Sequence, residues 1–171
     1  MATLGKEALN DALDAWAKHL AEQAAPDKPL AIIGMISHGD VLAQRLIDRL
    51  QQLGIQAQYG ALDISLYRDD FDMHSCKPAL RSSYLPFSTD GLHVVLVDDV
   101  VQTGRTVRAA LNALFEYGRP AHVQLHCLVD RGGRELPIAV DYAAFHLSVD
   151  TTSKVTLRLQ EIDGADELIH S

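Results

Sequence analysis

The sequence predicts one α/β domain built on a parallel sheet, and three observations carry that expectation. Three short runs, residues 30–36, 94–97 and 123–129, read as buried strands, and the first is continuously apolar and rich in β-branched side chains, as strands buried on both faces are. Stretches with helical spacing of apolar residues lie between them. Each run then gives way to polar residues, beginning at Ser37, Asp98 and Asp130. Strand, helix, strand in this order means parallel strands joined by right-handed crossovers, with ligands expected beyond the strand C-termini.

Taken in order, Leu9, Leu13, Trp16 and Leu20 fall on one stripe of a first helix, which Pro26 and Pro29 close. The run 30–36 is the first strand, and Ser37-His38-Gly39 is the turn after it. Asp40 is a candidate cap for a second helix whose stripe, Leu42, Leu46, Leu50 and Leu53, ends at Gly54. Residues 56–67 contain a further extended stretch. From Arg68 to Ser83 periodicity disappears, and the segment reads as a long loop. After the strand at 94–97, Val107, Ala110, Leu111, Leu114 and Phe115 trace a third helix that stops at Gly118 and Pro120. The run 123–129 is the last buried strand.

With 171 residues and 47% hydrophobic side chains, the chain can bury a substantial core as one domain spanning 1–171. Its 15 basic and 23 acidic residues give a net charge of −8, which opposes polyanionic partners unless the basic residues cluster. RNA is therefore a possible partner that charge disfavours. Cys76 and Cys127 form no Cys-x-x-Cys pair and read as free thiols. The first 30 residues show no basic start followed by an apolar run, and no stretch approaches the ~18 apolar residues of a membrane span, so a cytoplasmic protein is expected. Trp16 reads as core packing. His19, His93, His122 and His126 lack metal-ligand company and read as surface or hydrogen-bonded core residues. Asp69, Asp70 and Asp72 read as a solvated acidic loop with, at most, a minor metal role.

The chemistry concentrates in Asp98-Asp99-Val100-Val101-Gln102-Thr103-Gly104-Arg105-Thr106, which follows a buried strand and opens a helix. Successive backbone N–H groups at such a turn, with Gly104 free to take a conformation other residues resist, form a concave nest for a phosphate at the positive end of a helix. Thr103 and Thr106 add hydroxyl donors. Asp98 and Asp99 can accept hydrogen bonds from sugar hydroxyls, act indirectly on a Mg²⁺ ion through those hydroxyls or water, and stabilise positive charge developing on a sugar ring.

This segment resembles the phosphoribosyl diphosphate (PRPP) signature of type I phosphoribosyltransferases. More narrowly, the chain resembles the PyrR family. That likeness rests on Leu62-Asp63-Ile64-Ser65-Leu66-Tyr67-Arg68-Asp69-Asp70, Gly104-Arg105-Thr106-Val107-Arg108-Ala109-Ala110 and Asp130-Arg131-Gly132-Gly133-Arg134-Glu135-Leu136-Pro137-Ile138. The resemblance implies a central parallel sheet flanked by helices with a small hood over the site, and a homodimer or higher homo-oligomer. It implies Mg²⁺-dependent transfer of ribose 5-phosphate from PRPP to uracil, giving UMP. It also implies an alternative role, UMP- or PRPP-sensing regulation of pyrimidine biosynthesis through messenger RNA or protein partners.

By the same resemblance, Asp98 and Asp99 hold the ribose, Thr103 to Thr106 the 5-phosphate, and Ser37, His38 and Gly39 the pyrophosphate. Arg68 and the loop after it close over bound PRPP, while Asp130, Arg131 and Arg134 belong to the base region. The chain departs from the family in three places. His38 stands where Arg is common, Gly133 where the Arg-Gly-His-Arg run has His, and Ala144-Phe145-His146 where the family has Gly-Lys-Asn.

Overall fold

A computed structural model describes residues 2–68, 82–148, 150 and 153–170. The elements are β1 (Ala2–Leu4), α1 (Lys6–Gln23), β2 (Leu30–Met35), α2 (Gly39–Gln52), β3 (Gln58–Leu62), β4 (His93–Val101), α3 (Arg105–Leu114), β5 (His122–Asp130), β6 (Tyr142–His146), β7 (Val155–Arg158), α4 (Gln160–Asp163) and β8 (Glu167–His170). Short 3-10 turns, Ser65–Tyr67 and Phe115–Tyr117, follow β3 and α3.

Five strands form the main sheet in the order β3-β2-β4-β5-β6, every neighbouring pair parallel. The three runs become β2, β4 and β5, of which β2 and β4 are central and nearly continuous in burial. Side chains alternate across the sheet. Val95, Val97 and Leu128 join Trp16, Leu20, Leu42 and Leu46 on one face. Val94, Leu96, Leu125 and Cys127 join Val107, Ala110 and Leu114 on the other. Helices on both faces explain why β2 and residues 94–97 of β4 are apolar throughout instead of alternating with polar residues, while β5 carries Gln124 and the buried His126. A second, antiparallel sheet, β1-β8-β7, forms the hood.

Several expectations are corrected here. Asp40 does not cap α2. The helix already begins at Gly39 with His38 at the N-cap position, and Asp40 lies in the first turn. The cause is steric: a Cβ at Gly39 would stand 2.5 Å from the carbonyl oxygen of Val97, so only glycine lets the helix start so close to β4. Leu53 and Phe115 lie beyond α2 and α3 and are 46% and 55% exposed, so neither belongs to its buried stripe. Strand β4 continues through Asp98 and Asp99 to Val101, four residues past the predicted run. Within 56–67, only Gln58–Leu62 is a strand. The predicted loop 68–83, with Asp69, Asp70, Asp72 and Cys76, falls mostly outside the described residues, which resume at 82. Cys127 is free and buried, and burial pushes its thiol up.

Trp16 and His126 are both fully buried, and the indole Nε1 donates to His126 Nδ1 at 3.0 Å. Indole can only donate, so Nδ1 accepts, and the neutral ring carries its proton on Nε2. That Nε2 has no hydrogen-bond partner among the described residues. Burial first, then the charges of His19 and His93, lowers the His126 pKa to about 3. The unfolded chain therefore binds this proton below about pH 6.5 while the folded chain refuses it, so stability falls as pH drops through that range. Unfolding free energy should decline by about 2 kcal/mol between pH 7 and pH 5 on this account alone. Denaturant titrations at the two pH values test it. His126→Gln keeps an acceptor for Trp16 but cannot titrate, so a variant with an unchanged pH slope would assign the effect elsewhere.

Candidate active site

Three strand ends deliver the predicted residues to one crevice. At the end of β2, Ile36-Ser37 is a cis peptide, and His38 follows with φ 71°. The close approach already described brings this turn against β4, since a Cβ at Gly39 would also lie 3.4 Å from the Cα of Asp98. Gly34 serves the same approach from within β2, where a Cβ would meet the carbonyl oxygen of Gly39 at 2.2 Å.

Asp98 is 4% exposed at the end of β4, and Asp99 beside it is half-buried. The Asp98 carboxylate accepts the Asp99 N–H at 3.0 Å, and Asp99 accepts the Val100 N–H at 2.8 Å. Burial, and then the adjacent Asp99, pushes the Asp98 carboxyl well above its ordinary range, while the Arg68 charge pulls the other way. Arg68 itself is exposed at the end of the Ser65–Tyr67 turn.

From Val101 the chain turns into α3. Gly104 is its N-cap with φ 91°, in the left-handed region that favours glycine. Thr103 Oγ1 accepts the Arg105 N–H at 3.3 Å. The first N–H groups of α3 have no partner within the helix and carry the positive end of its dipole. A cavity of about 250 Å³ opens here, lined by Asp98, Val100 to Gly104, Thr106, Val107, Arg131 and Val155.

The loop after β5 zips onto this turn. Arg131 N–H donates to Val101 O at 3.1 Å, and the Glu135 and Leu136 N–H groups both reach Thr103 O. Arg134 donates to Gln102 O at 2.8 Å and Ile138 O at 3.1 Å, and pairs with Asp130 at 2.9 Å. Its guanidinium therefore braces the loop, and the pairing with Asp130 is one the sequence did not suggest. Arg131 lines the cavity but donates to the carbonyls of Asp150 and Ser153. Glu135 pairs with Arg105. Gly132 and Gly133 have φ of 68° and 73°, which gives a conformational reason for glycine at the second position, where the family has histidine. Phe145 packs against the α1–α2 side of the core, and His146 ends β6 in register with Asp130.

Two features lay beyond sequence reasoning. Val155, from the hood, lines the cavity. The His38 imidazole is turned to Asp163, its Nε2 lying 2.9 Å from Asp163 Oδ2. No local pattern could reveal a contact between residues 125 positions apart.

A phosphoribosyl transferase domain model matches residues 4–156. A structure of the glutamine mutant of an invariant aspartic acid in HPRTs superposes with a TM-score of 0.73 over 98% of this chain and 92% of that one, at 20% identity. Hypoxanthine phosphoribosyltransferase of Trypanosoma cruzi gives 0.69 over 97% and 93%, also at 20% identity. At such identity these likenesses show the fold. An acidic pair at a parallel-strand end, running into a glycine turn and a helix N-terminus within this fold, defines a phosphoribosyltransferase. Among such proteins the chain belongs to the PyrR family. It is 58% identical to the bifunctional protein PyrR of Akkermansia muciniphila over 84% of this chain and 81% of that one. It is 44% identical to that of Deinococcus radiodurans over 95% and 90%.

Proposed function

We propose that this protein transfers ribose 5-phosphate from PRPP to uracil, forming UMP and pyrophosphate. The observation that carries this reading is that Asp98 and the turn residues Thr103, Gly104 and Thr106 line one cavity, with Asp99 next to Asp98 in the strand. The turn and the α3 N-terminus hold the 5-phosphate through main-chain N–H groups and the two threonine hydroxyls. Asp98 and Asp99 accept from the ribose hydroxyls. The turn Ser37 to Gly39, beside Asp98, receives the diphosphate through the first amides of α2.

In the reaction the bond from ribose C1′ to the diphosphate oxygen breaks, and pyrophosphate leaves with the electron pair. Uracil N1 bonds to C1′, and its proton passes to the solvent. Positive charge that grows on the ring between those events is stabilised by the buried acidic pair. Arg68, at the edge of the site, supplies charge for the diphosphate and helps exclude water. Asp130 and the loop braced by Arg131 and Arg134 border the base.

Mg²⁺ fits this site in an indirect role. Among the described residues no three His, Cys, Asp or Glu side chains come together as a metal cage. A Mg²⁺ ion carried by PRPP would be held through ribose hydroxyls or water by Asp98 and Asp99, whose adjacent carboxyls disfavour each other's charge in the absence of a cation. When bound, the ion neutralises charge on the departing diphosphate.

The test is formation of UMP from labelled uracil and PRPP, with hypoxanthine, guanine and orotate as controls. Turnover of a purine in preference to uracil would overturn the base assignment and leave the phosphoribosyl chemistry standing.

The curated relatives are named bifunctional, and a regulatory role in RNA binding is the second function to weigh. Charge opposes it. Nucleic-acid affinity comes chiefly from Lys and Arg neutralising phosphates. Here Arg158 pairs with Glu167, Arg134 with Asp130, and Arg131 donates to main-chain carbonyls. Filter-binding titration with pyrimidine-operon leader RNA should show weak, strongly salt-dependent binding. Nanomolar affinity that UMP enhances at physiological salt would make regulation the primary function. Among the described residues no helix is long and apolar enough to cross a membrane.

A further inference from the structure

The hood is tied to α2, the same helix whose first residues form the turn proposed to receive the diphosphate. Arg45 of α2 forks onto Glu161, with Nε donating at 2.9 Å, and also donates to Asp166 at 2.7 Å. Nearly two turns towards the N-terminus, His38 makes the second tie through Asp163. Arg45 anchors the body of the helix. Of these two ties, the His38 contact is the one that reaches the turn itself.

His38 is also the non-glycine residue with positive φ among the described residues, at φ 71° and ψ −47°. A residue with a Cβ holds such a conformation when its surroundings fix it. The imidazole is engaged at both nitrogens. Nε2 donates to Asp163 Oδ2 at 2.9 Å, and Nδ1 shares a hydrogen bond with Ser37 Oγ at 3.3 Å. Asp163 Oδ2 is in turn fixed by the Leu159 N–H at 2.9 Å. The Leu159 N–H and then His38 hold the Asp163 carboxyl below its ordinary range, so it remains an acceptor at neutral pH.

We propose that Asp163 is a positioning residue for diphosphate binding: acting through His38, it holds the Ser37–Gly39 turn in the conformation that presents its amides to the diphosphate. This rests on the reading of that turn given above. Without the contact the turn samples other conformations, and binding must supply the cost of ordering it. The histidine that replaces the family's arginine then serves the turn from behind, as a link to the hood.

The experiment compares wild type with D163A, D163N, H38A and the double variant H38A/D163A. PRPP and pyrophosphate binding are measured by calorimetry, steady-state kinetics with uracil are followed, and thermal unfolding is monitored throughout. D163A should raise the PRPP KM and the pyrophosphate Kd about tenfold, the value of one hydrogen bond, with kcat within about twofold. The uracil KM should not move. Because one oxygen of Asp163 takes both hydrogen bonds, D163N presents an equivalent acceptor and should restore affinity to within about threefold of wild type. H38A should match D163A, and the double variant should be no worse than either, as for two halves of one interaction.

A lower unfolding temperature with unchanged PRPP affinity in D163A and H38A would reduce the contact to a structural clamp and overturn the proposal. So would tighter PRPP binding in D163A, or additive losses in the double variant. If D163A does not fold, H38A tests the same contact from the other side. Wild type that binds neither PRPP nor pyrophosphate would fell the proposed function itself, whereas wild-type binding that the variants leave untouched fells only the positioning role.

Discussion

Asp98→Asn and Asp99→Asn should each lower kcat for UMP formation by about 100-fold or more, the scale of a lost electrostatic stabiliser, while PRPP affinity falls far less. Both changes keep size, exchange one acceptor oxygen for an amide donor, and remove charge. A carboxylate facing a sugar carbon that becomes positive acts mostly in the transition state, so its loss appears in turnover before binding. Asp98 offers a second readout. Its carboxyl is raised by burial and by Asp99, so in the free protein the charged form is disfavoured. The sign follows: this group favours the fold at low pH, and that contribution is lost as pH rises through its folded-state pKa. At neutral pH, D98N should therefore be at least as stable as wild type while being nearly inactive. Thermal unfolding and steady-state kinetics on the same preparations decide it. A kcat within error of wild type in both variants would make the pair structural.

Gly104→Val should weaken UMP and PRPP binding ~30-fold or more through two additive causes, an unfavourable backbone region and overpacking, each costing about 1–3 kcal/mol. Gly104 has φ 91°, which a β-branched residue strongly resists. A Cβ there would stand 3.0 Å from Ile138 Cγ1, 3.1 Å from Ile138 Cβ and 3.5 Å from Leu136 Cβ. The turn can relieve neither problem without rotating its peptide planes, and those planes aim the N–H groups of the phosphate nest. Because Glu135 and Leu136 donate to Thr103 O, the strain also spreads into the loop after β5. Gly104→Ala meets the same φ with a smaller side chain and should fall between valine and wild type. Equilibrium dialysis of UMP, with circular dichroism to verify the fold, measures both. Wild-type affinity in a folded valine variant would place the phosphate elsewhere.

What the sequence determined alone is the part of the protein written in short-range pattern. Residues 30–36, 94–97 and 123–129 announced β2, β4 and β5 by composition and length, the first two without alternation because both sheet faces bury them. The Asp98–Thr106 turn was legible because strand, acidic pair, glycine and helix start are consecutive in the chain. The tertiary structure decided what depends on distant partners. The cap position of α2 moved from Asp40 to His38 because Gly39 meets Val97 across the sheet, a contact no capping rule contains. Arg134 braces the loop after β5 by donating to the main-chain carbonyls of Gln102 and Ile138, a contact set by how that loop folds back. The hood strands β1, β7 and β8 have three or four residues each, too few to show a period of two. Trp16 with His126, and His38 with Asp163, are separated by 110 and 125 residues. Hydrogen bonds of that kind follow from where the packed elements bring side chains together, and local propensity carries no trace of them.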